Sequence, residues 1–154
     1  MRIEEVLRES CVIANIKERT KEGALTELVE ALKEADLIRD REKVVRVILD
    51  REKLGSTGIG DGIAIPHGKL KDIQTILCAF GRSEEGVNFD SVDGKPVHIF
   101  FLLLAPEESA SQHLKMLSRI SRILRDPSFR RRLLQLNDRE TIYRDIIDED
   151  RKLQ

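Results

Sequence analysis

The chain is short of cysteine, of long apolar runs and of net charge, and each shortage removes a class of protein. Only two cysteines occur, Cys11 and Cys78, in no CxxC pattern. Both sit beside apolar residues, so they are expected as reduced thiols in or near a core, in a cytoplasmic protein rather than a disulfide scaffold. The longest apolar run, Val97 to Ala105, is broken by His98 and falls well short of the ~20 residues that span a bilayer. It suits a buried strand. The start, Met1 to Ser10, is charged and lacks an apolar stretch, so no secretory leader and no membrane span are expected. Lysine and arginine total 27 against 28 aspartates and glutamates, a formal net charge of -1. That balance argues against a general nucleic-acid binder. One basic run, Arg130 to Arg132 near Arg125, reads as a solvated helix face.

What remains is 154 residues, 40% apolar and 36% charged, which fits one soluble domain with a single core. No repeat, linker or low-complexity stretch interrupts it. Glu4 to Leu7 reads as a short helix. Thr20 caps a helix whose stripe is Leu25, Leu28, Val29, Leu32 and Ala35. Asp40 caps a second, with Val44, Val47 and Ile48 on one side, running to about Lys53. Four glycines between Gly55 and Gly62 then exclude regular structure. Ile63 to Ile65 is a short strand ended by Pro66. Thr75 to Phe80 and Pro96 to Leu104 are strands, the second central and covered on both faces, with an Asp93-Gly94 turn before it. A long helix follows from about Glu108 to Arg125, then helical pieces over Ser128 to Leu136 and Arg139 to Ile147. Helices, then strands, then helices predict an α/β chain, a mixed sheet sandwiched between helices.

Three residues stand out chemically. His67, after a strand-ending proline and before Gly68, is placed on a loop where an imidazole either packs or acts as a nucleophile near neutral pH, able to accept a phosphoryl group on a ring nitrogen. The glycine-rich loop, with backbone N–H groups around Gly58 and hydroxyls from Ser56 and Thr57, could hold the phosphoryl oxygens. His113 falls in the middle of the apolar arc of its helix, opposite Lys115, Arg119 and Arg122. It is either a core histidine or a second imidazole facing the His67 pocket. Arg51 lies close to the Val44–Val47–Ile48 stripe, where an arginine needs an anion. A phosphoryl group would serve, and so would a local pair with Glu52. His98 receives no role. His67, His98 and His113 have no short metal-ligand spacing, so no metal is expected. Gly60 is followed by Asp61 rather than lysine, and Ile63 stands where a dinucleotide fingerprint needs glycine, so no nucleotide is expected.

The run Glu52, Ile59-Gly60, Ile63-Ala64-Ile65-Pro66-His67-Gly68 resembles the active-site signature of the fructose/mannitol-type enzyme IIA family of the bacterial phosphotransferase system. That signature is an acidic or amide residue, an apolar–small pair, then apolar-Ala-apolar-Pro-His-small. Phe89-Asp90 with Asp93-Gly94-Lys95-Pro96-Val97, and Leu104-Ala105-Pro106 with His113-Leu114, extend the likeness over nearly the whole chain. Arg51 to Gly60 and Ile65 to Leu70 look most like the nitrogen-regulatory branch. The resemblance implies one phosphocarrier domain over residues 1–154, a mixed sheet with helices on both faces, and a phosphotransferase component. His67 would be the phosphorylated residue, His113 and Arg51 its assistants, and no cofactor is implied. An HPr-type phosphocarrier would dock on an apolar patch with a charged rim around the His67 pocket and supply the phosphoryl group. The output would be phosphorylation-dependent binding of regulatory target proteins. A sugar-transport enzyme IIA passing the group to an enzyme IIB is one alternative, and a binding module that is never phosphorylated is another.

Overall fold

The computed structural model describes residues 1–153. After a short 3-10 turn at Ile3–Glu5, the chain runs β1 (Leu7–Ile13), α1 (Lys21–Glu34), α2 (Arg41–Glu52), β2 (Gly58–Gly60), β3 (Ile63–Ala64), β4 (His67–Leu70), β5 (Leu77–Val87), β6 (Val97–Pro106), α3 (Ala110–Leu124), α4 (Pro127–Gln135) and α5 (Arg139–Arg151). Local signals set the helix starts. The Thr20 side chain accepts from the Gly23 N–H, and the Asp40, Asp126 and Asp138 side chains cap α2, α4 and α5 in the same way.

One six-stranded mixed sheet holds the chain, in the order β1-β5-β6-β3-β2 with β4 also on β6. β1 runs parallel to β5, β5 antiparallel to β6, and β3 and β4 both parallel to β6. β3 and β4 thus lie end to end along one side of β6, Ile63 opposite Ile99 and His67 opposite Leu103. Ile65 and Pro66 bridge the gap, and the Pro66 carbonyl still accepts from the Leu103 N–H at 2.9 Å. Helices α1 and α2 cover one face and α3 to α5 the other. On β5 a Cβ at Gly81 would sit 2.5 Å from Ile16 and 3.0 Å from Leu28 of α1. The next residue, Arg82, points the opposite way and donates to the Leu133 carbonyl of α4 at 3.0 Å and to that of Leu136. β6 is buried from Ile99 to Ala105, with Phe101 edge-to-face against Phe80 and Phe100 against Phe89.

The expected helix at Glu4 to Leu7 gives way to the turn and to β1. Its polar Arg8, Glu9 and Ser10 are exposed at a sheet edge, which hides the strand's alternation. The basic run is more than a solvated face. Arg130 donates to the Leu124 carbonyl at 2.7 Å, and Arg132 pairs with Asp145 and Glu149 of α5. Both cysteines are free and buried, and burial pushes the Cys78 thiol far above its ordinary range. Among the described residues, no helix is long and apolar enough to cross a membrane.

The far end of α5 is clamped to the start of the chain and to α3. The Asp150 carboxylate is fully buried, accepts from the Ile3 N–H at 2.9 Å and pairs with Arg119 of α3. Arg119 also donates to the Asp150 carbonyl at 3.1 Å. The clamp fixes the helix that carries His113.

Candidate active site

His67 opens β4 rather than lying on a loop. Pro66 reads as a terminator in sequence because it cannot donate to a ladder, but the partner that resumes pairing, Leu103, is far away in the chain. Strand geometry sends alternate side chains to opposite faces. Gly68 faces α2, where a Cβ would sit 3.2 Å from Val47, while His67 and Lys69 share the other direction. A side chain at 68 would press on Val47, which would have to give by a few tenths of an ångström.

The His67 ring is half-buried and meets the His113 ring at right angles, with centroids 5.4 Å apart. Together with Val47, Arg51, Lys69, Leu114 and Leu117 they line a cleft of about 360 Å³ between α2, β4 and α3. His67 Nδ1 lies 2.9 Å from the Ile65 carbonyl. A carbonyl only accepts, so Nδ1 carries the proton and Nε2 presents its lone pair. Burial lowers the His67 pKa below its ordinary value. The Ile65 carbonyl pulls it up, the Arg51 charge pushes it down, and Glu52 pulls it up. The imidazole is therefore neutral and nucleophilic at neutral pH.

His113 is 4% exposed. Its pKa is lowered by burial first, then by His67 and Lys69. Its Nδ1 is the one buried side-chain nitrogen or oxygen without a hydrogen-bond partner among the described residues. A proton there would be stranded, so the neutral ring carries it on Nε2, the nitrogen left available to the cleft. Arg51 is half-buried at the end of α2, and the one hydrogen bond of its side chain among the described residues goes to the Gly55 carbonyl at 3.1 Å. The rest of its donor fork is free for an anion. One neutral nucleophile, one imidazole donor and two cations thus converge on a partly dry cleft. Such a site can take up a dianionic group on Nε2 without a metal, and no cluster of metal-ligating side chains occurs among the described residues.

The structure brings together His67, His113 and Arg51, but not the loop expected to hold the phosphoryl oxygens. Ser56, Thr57 and Gly58 are not among the described residues that line the cleft. The Ser56 hydroxyl donates to the Phe89 carbonyl at 2.8 Å and accepts from the Gly58 N–H at 3.0 Å. The Thr57 hydroxyl and N–H both go to Glu52. Gly58 is packed against Ser91, only 3.0 Å from where its Cβ would be. These groups shape the loop rather than face the cleft. His98 proves structural, its Nδ1 2.7 Å from the Ser83 carbonyl. Sequence reasoning missed Lys69. Its signal was the two-residue spacing from His67, legible only once that stretch is read as a strand.

Comparison with known proteins agrees with this fold. A model of the family described as "Phosphoenolpyruvate-dependent sugar phosphotransferase system, EIIA 2" matches residues 5–149. The chain is 42% identical over 144 residues to the nitrogen regulatory protein of Bradyrhizobium diazoefficiens, covering 93% of each. It is 40% identical over 152 residues to the fructose-specific EIIABC component of Bacillus subtilis, where it spans 99% of itself but only 24% of that protein. The crystal structure of nitrogen regulatory protein IIA-Ntr from Neisseria meningitidis superposes with a TM-score of 0.86 at 34% identity, over 94% of this chain and 98% of that one.

Proposed function

The chain belongs to the EIIA 2 family of the phosphoenolpyruvate-dependent sugar phosphotransferase system, and from that premise we propose that it is a phosphocarrier of the nitrogen-regulatory type whose phosphorylated atom is Nε2 of His67. The observation that carries the reading is the 2.9 Å contact between His67 Nδ1 and the Ile65 carbonyl, which leaves Nε2 as the lone pair offered to the cleft. Residues 1–154 act as one phosphocarrier domain, in the cytoplasm.

Nε2 attacks the phosphorus of a phosphohistidine on an HPr-type donor, in line with the bond to the donor nitrogen. The P–N bond to the donor breaks, its electron pair stays on the donor ring, and a P–N bond to His67 forms. The His67 ring becomes cationic, and the Ile65 carbonyl stabilises that charge through the Nδ1 proton. Arg51 and Lys69 meet the transferred oxygens as cations and His113 donates from Nε2. The apolar rim, with Leu114 at 66% exposure beside the cleft, receives the donor. The added charge of about -1.5 to -2 then changes which regulatory target binds. One finding favours a second output: the 40% identity to a fructose-specific component supports transfer from His67 to an enzyme IIB.

The test is incubation with phosphoenolpyruvate, enzyme I and HPr, with intact-mass readout. One acid-labile phosphoryl group is expected, absent in His67→Ala. No gain in the wild type with a matched, validated HPr would sink the reading and leave a binding module that is never phosphorylated. Addition of an enzyme IIB separates the outputs: discharge of the phosphoprotein supports transport, and retention with state-dependent capture of a regulatory target supports regulation.

A further inference from the structure

Arg51 and Glu52 are neighbours at the end of α2, yet only Arg51 lines the His67 cleft. Glu52 is 7% exposed and its carboxylate gathers three donors: the Thr57 N–H at 3.2 Å, the Thr57 hydroxyl, and the Lys21 ammonium at 2.8 Å. Lys21 opens α1, and its ammonium lies 4.7 Å from the centroid of the buried Phe89 ring. The Ser56 hydroxyl closes on the Phe89 carbonyl from the loop side. The stretch from Lys53 to Thr57 is thereby tied to the Glu52 carboxylate through Thr57 and to Phe89 through Ser56, beside the backbone bonds from the Leu54 and Gly55 N–H groups to the Arg51 and Glu52 carbonyls, each 3.1 Å.

Gly55 lies inside that stretch. It is exposed, has φ +146 and would meet nothing within 4 Å if it carried a Cβ. Its side offers no packing, so its carbonyl is held by the Gly55 N–H bond to the Glu52 carbonyl and by the ties at Ser56 and Thr57. That carbonyl is the hydrogen-bond partner of Arg51. A buried ion pair is weak evidence of stability, because desolvation offsets much of its attraction. Its better-attested use is to specify an arrangement, and the arrangement specified here is the one that aims a guanidinium.

We infer that Glu52, held by Lys21, is a positioning residue for phosphoryl transfer: by pinning Thr57 it fixes the Gly55 carbonyl, which aims Arg51 into the cleft. The inference rests on the phosphocarrier reading. It makes Glu52 act through Arg51, beyond the pull of its charge on His67, and a double-mutant cycle with Arg51 measures that coupling directly.

The experiment is single-turnover transfer from phospho-HPr to the full chain, as wild type, Arg51→Ala, Glu52→Ala, Glu52→Gln and Arg51→Ala/Glu52→Ala. Thermal unfolding by circular dichroism checks that each is folded at the assay temperature. Losing a preorganised cation should slow transfer about 100-fold in Arg51→Ala, and a misaimed one about 10-fold in Glu52→Ala. The double variant should fall no more than about 2-fold below Arg51→Ala, since little is left to aim. Glu52→Gln still accepts from Thr57 and should stay within about 3-fold of wild type. The inference is overturned if Glu52→Ala slows the Arg51→Ala protein as much as it slows wild type, or if folded Glu52→Ala transfers at the wild-type rate. Should Glu52→Ala unfold, Glu52→Asp keeps the charge, withdraws the reach by one methylene and is put through the same cycle with the same two criteria. A wild type that accepts no phosphoryl group refutes the phosphocarrier reading first. A phosphorylated wild type with independent losses refutes only the role of Glu52.

Discussion

Replacing Asp150 with alanine should cost about 4 kcal/mol of folding stability. The carboxylate has no exposed surface, and its two partners differ in what happens when it goes. Arg119 keeps 16% of its side-chain surface exposed and can turn partly to water. Its loss of partner therefore falls at the low end of the ~3–5 kcal/mol seen when a buried pair is broken. The Ile3 N–H, whose residue is fully buried, is left without an acceptor, which adds about 1 kcal/mol or somewhat more. For a chain of this size ~4 kcal/mol is a large part of the total, and the melting temperature should drop by roughly 8–16 °C. Urea unfolding gives the free energy and calorimetry the temperature. Two further variants separate buried charge from packing. Arg119→Met strands a buried carboxylate and should lose about 3 kcal/mol, whereas Arg119→Met with Asp150→Asn keeps a neutral acceptor for Ile3 and should lose only about 1. Losses that simply add in that double variant, or an Asp150→Ala protein within about 1 kcal/mol of wild type, would refute the account of the clamp.

Four other outcomes follow from the site and its supports. His113→Ala should still take up one phosphoryl group but about 100-fold more slowly, the usual loss for one preorganised donor; unchanged single-turnover kinetics would remove His113 from the mechanism. Because the His67 pKa is lowered in the fold, acceptance should stay near its plateau as pH falls past the ordinary histidine value of about 6.5 and decline only below it, as a ring-proton titration by NMR would show. The same shifts make the unfolded chain bind more protons than the native one below about pH 6.5. Stability linked to His67 and His113, both lowered, is therefore complete above that pH and lost as pH falls through the folded values. A His67→Gln/His113→Gln protein should lose less on going from neutral to mildly acidic urea titrations, and the opposite order contradicts the assigned directions. Finally, Gly86 has φ +91, with Pro96 2.8 Å and His98 3.0 Å from the place of a Cβ, so Gly86→Ala should cost about 1–3 kcal/mol by chemical denaturation.

What could be read in the sequence was what is decided locally. Thr20 and Asp40 cap their helices because the bonded N–H lies three residues away. The arc of His113, Met116 and Ile120 turns inward because helical periodicity needs no distant partner. His67, Arg51 and His113 line one cleft, whereas their spacing alone leaves each open between packing and chemistry. The parts that were missed depend on pairing across the chain. β1 exists through β5, β2 is three residues inside a glycine-rich stretch, and β4 resumes after a proline only because β6 offers Leu103 to Pro106. The hydroxyls of Ser56 and Thr57 look available in sequence, and it takes Phe89 and Glu52 to show that they are already committed. Lys69 was hidden by the same missed strand.

On the phosphocarrier reading, that His67 is a ladder residue of β4 bears on how a relay through it would work. Many carriers of reactive groups move them on a swinging arm, so that one flexible tether visits several stations. Here the backbone of the reactive residue is stitched to the most deeply buried strand in the molecule and its ring is tied to its own chain at Nδ1, so the arm has no length. All transport falls to tumbling and translation of the whole body, and delivery depends on the curvature of whichever surface arrives. A half-buried imidazole held at Nδ1 would be reached best by a partner that projects its own reactive ring, which would make two copies of this protein poor exchangers of the group between themselves. Traffic would thereby be directed outward along the chain of carriers rather than sideways within one pool.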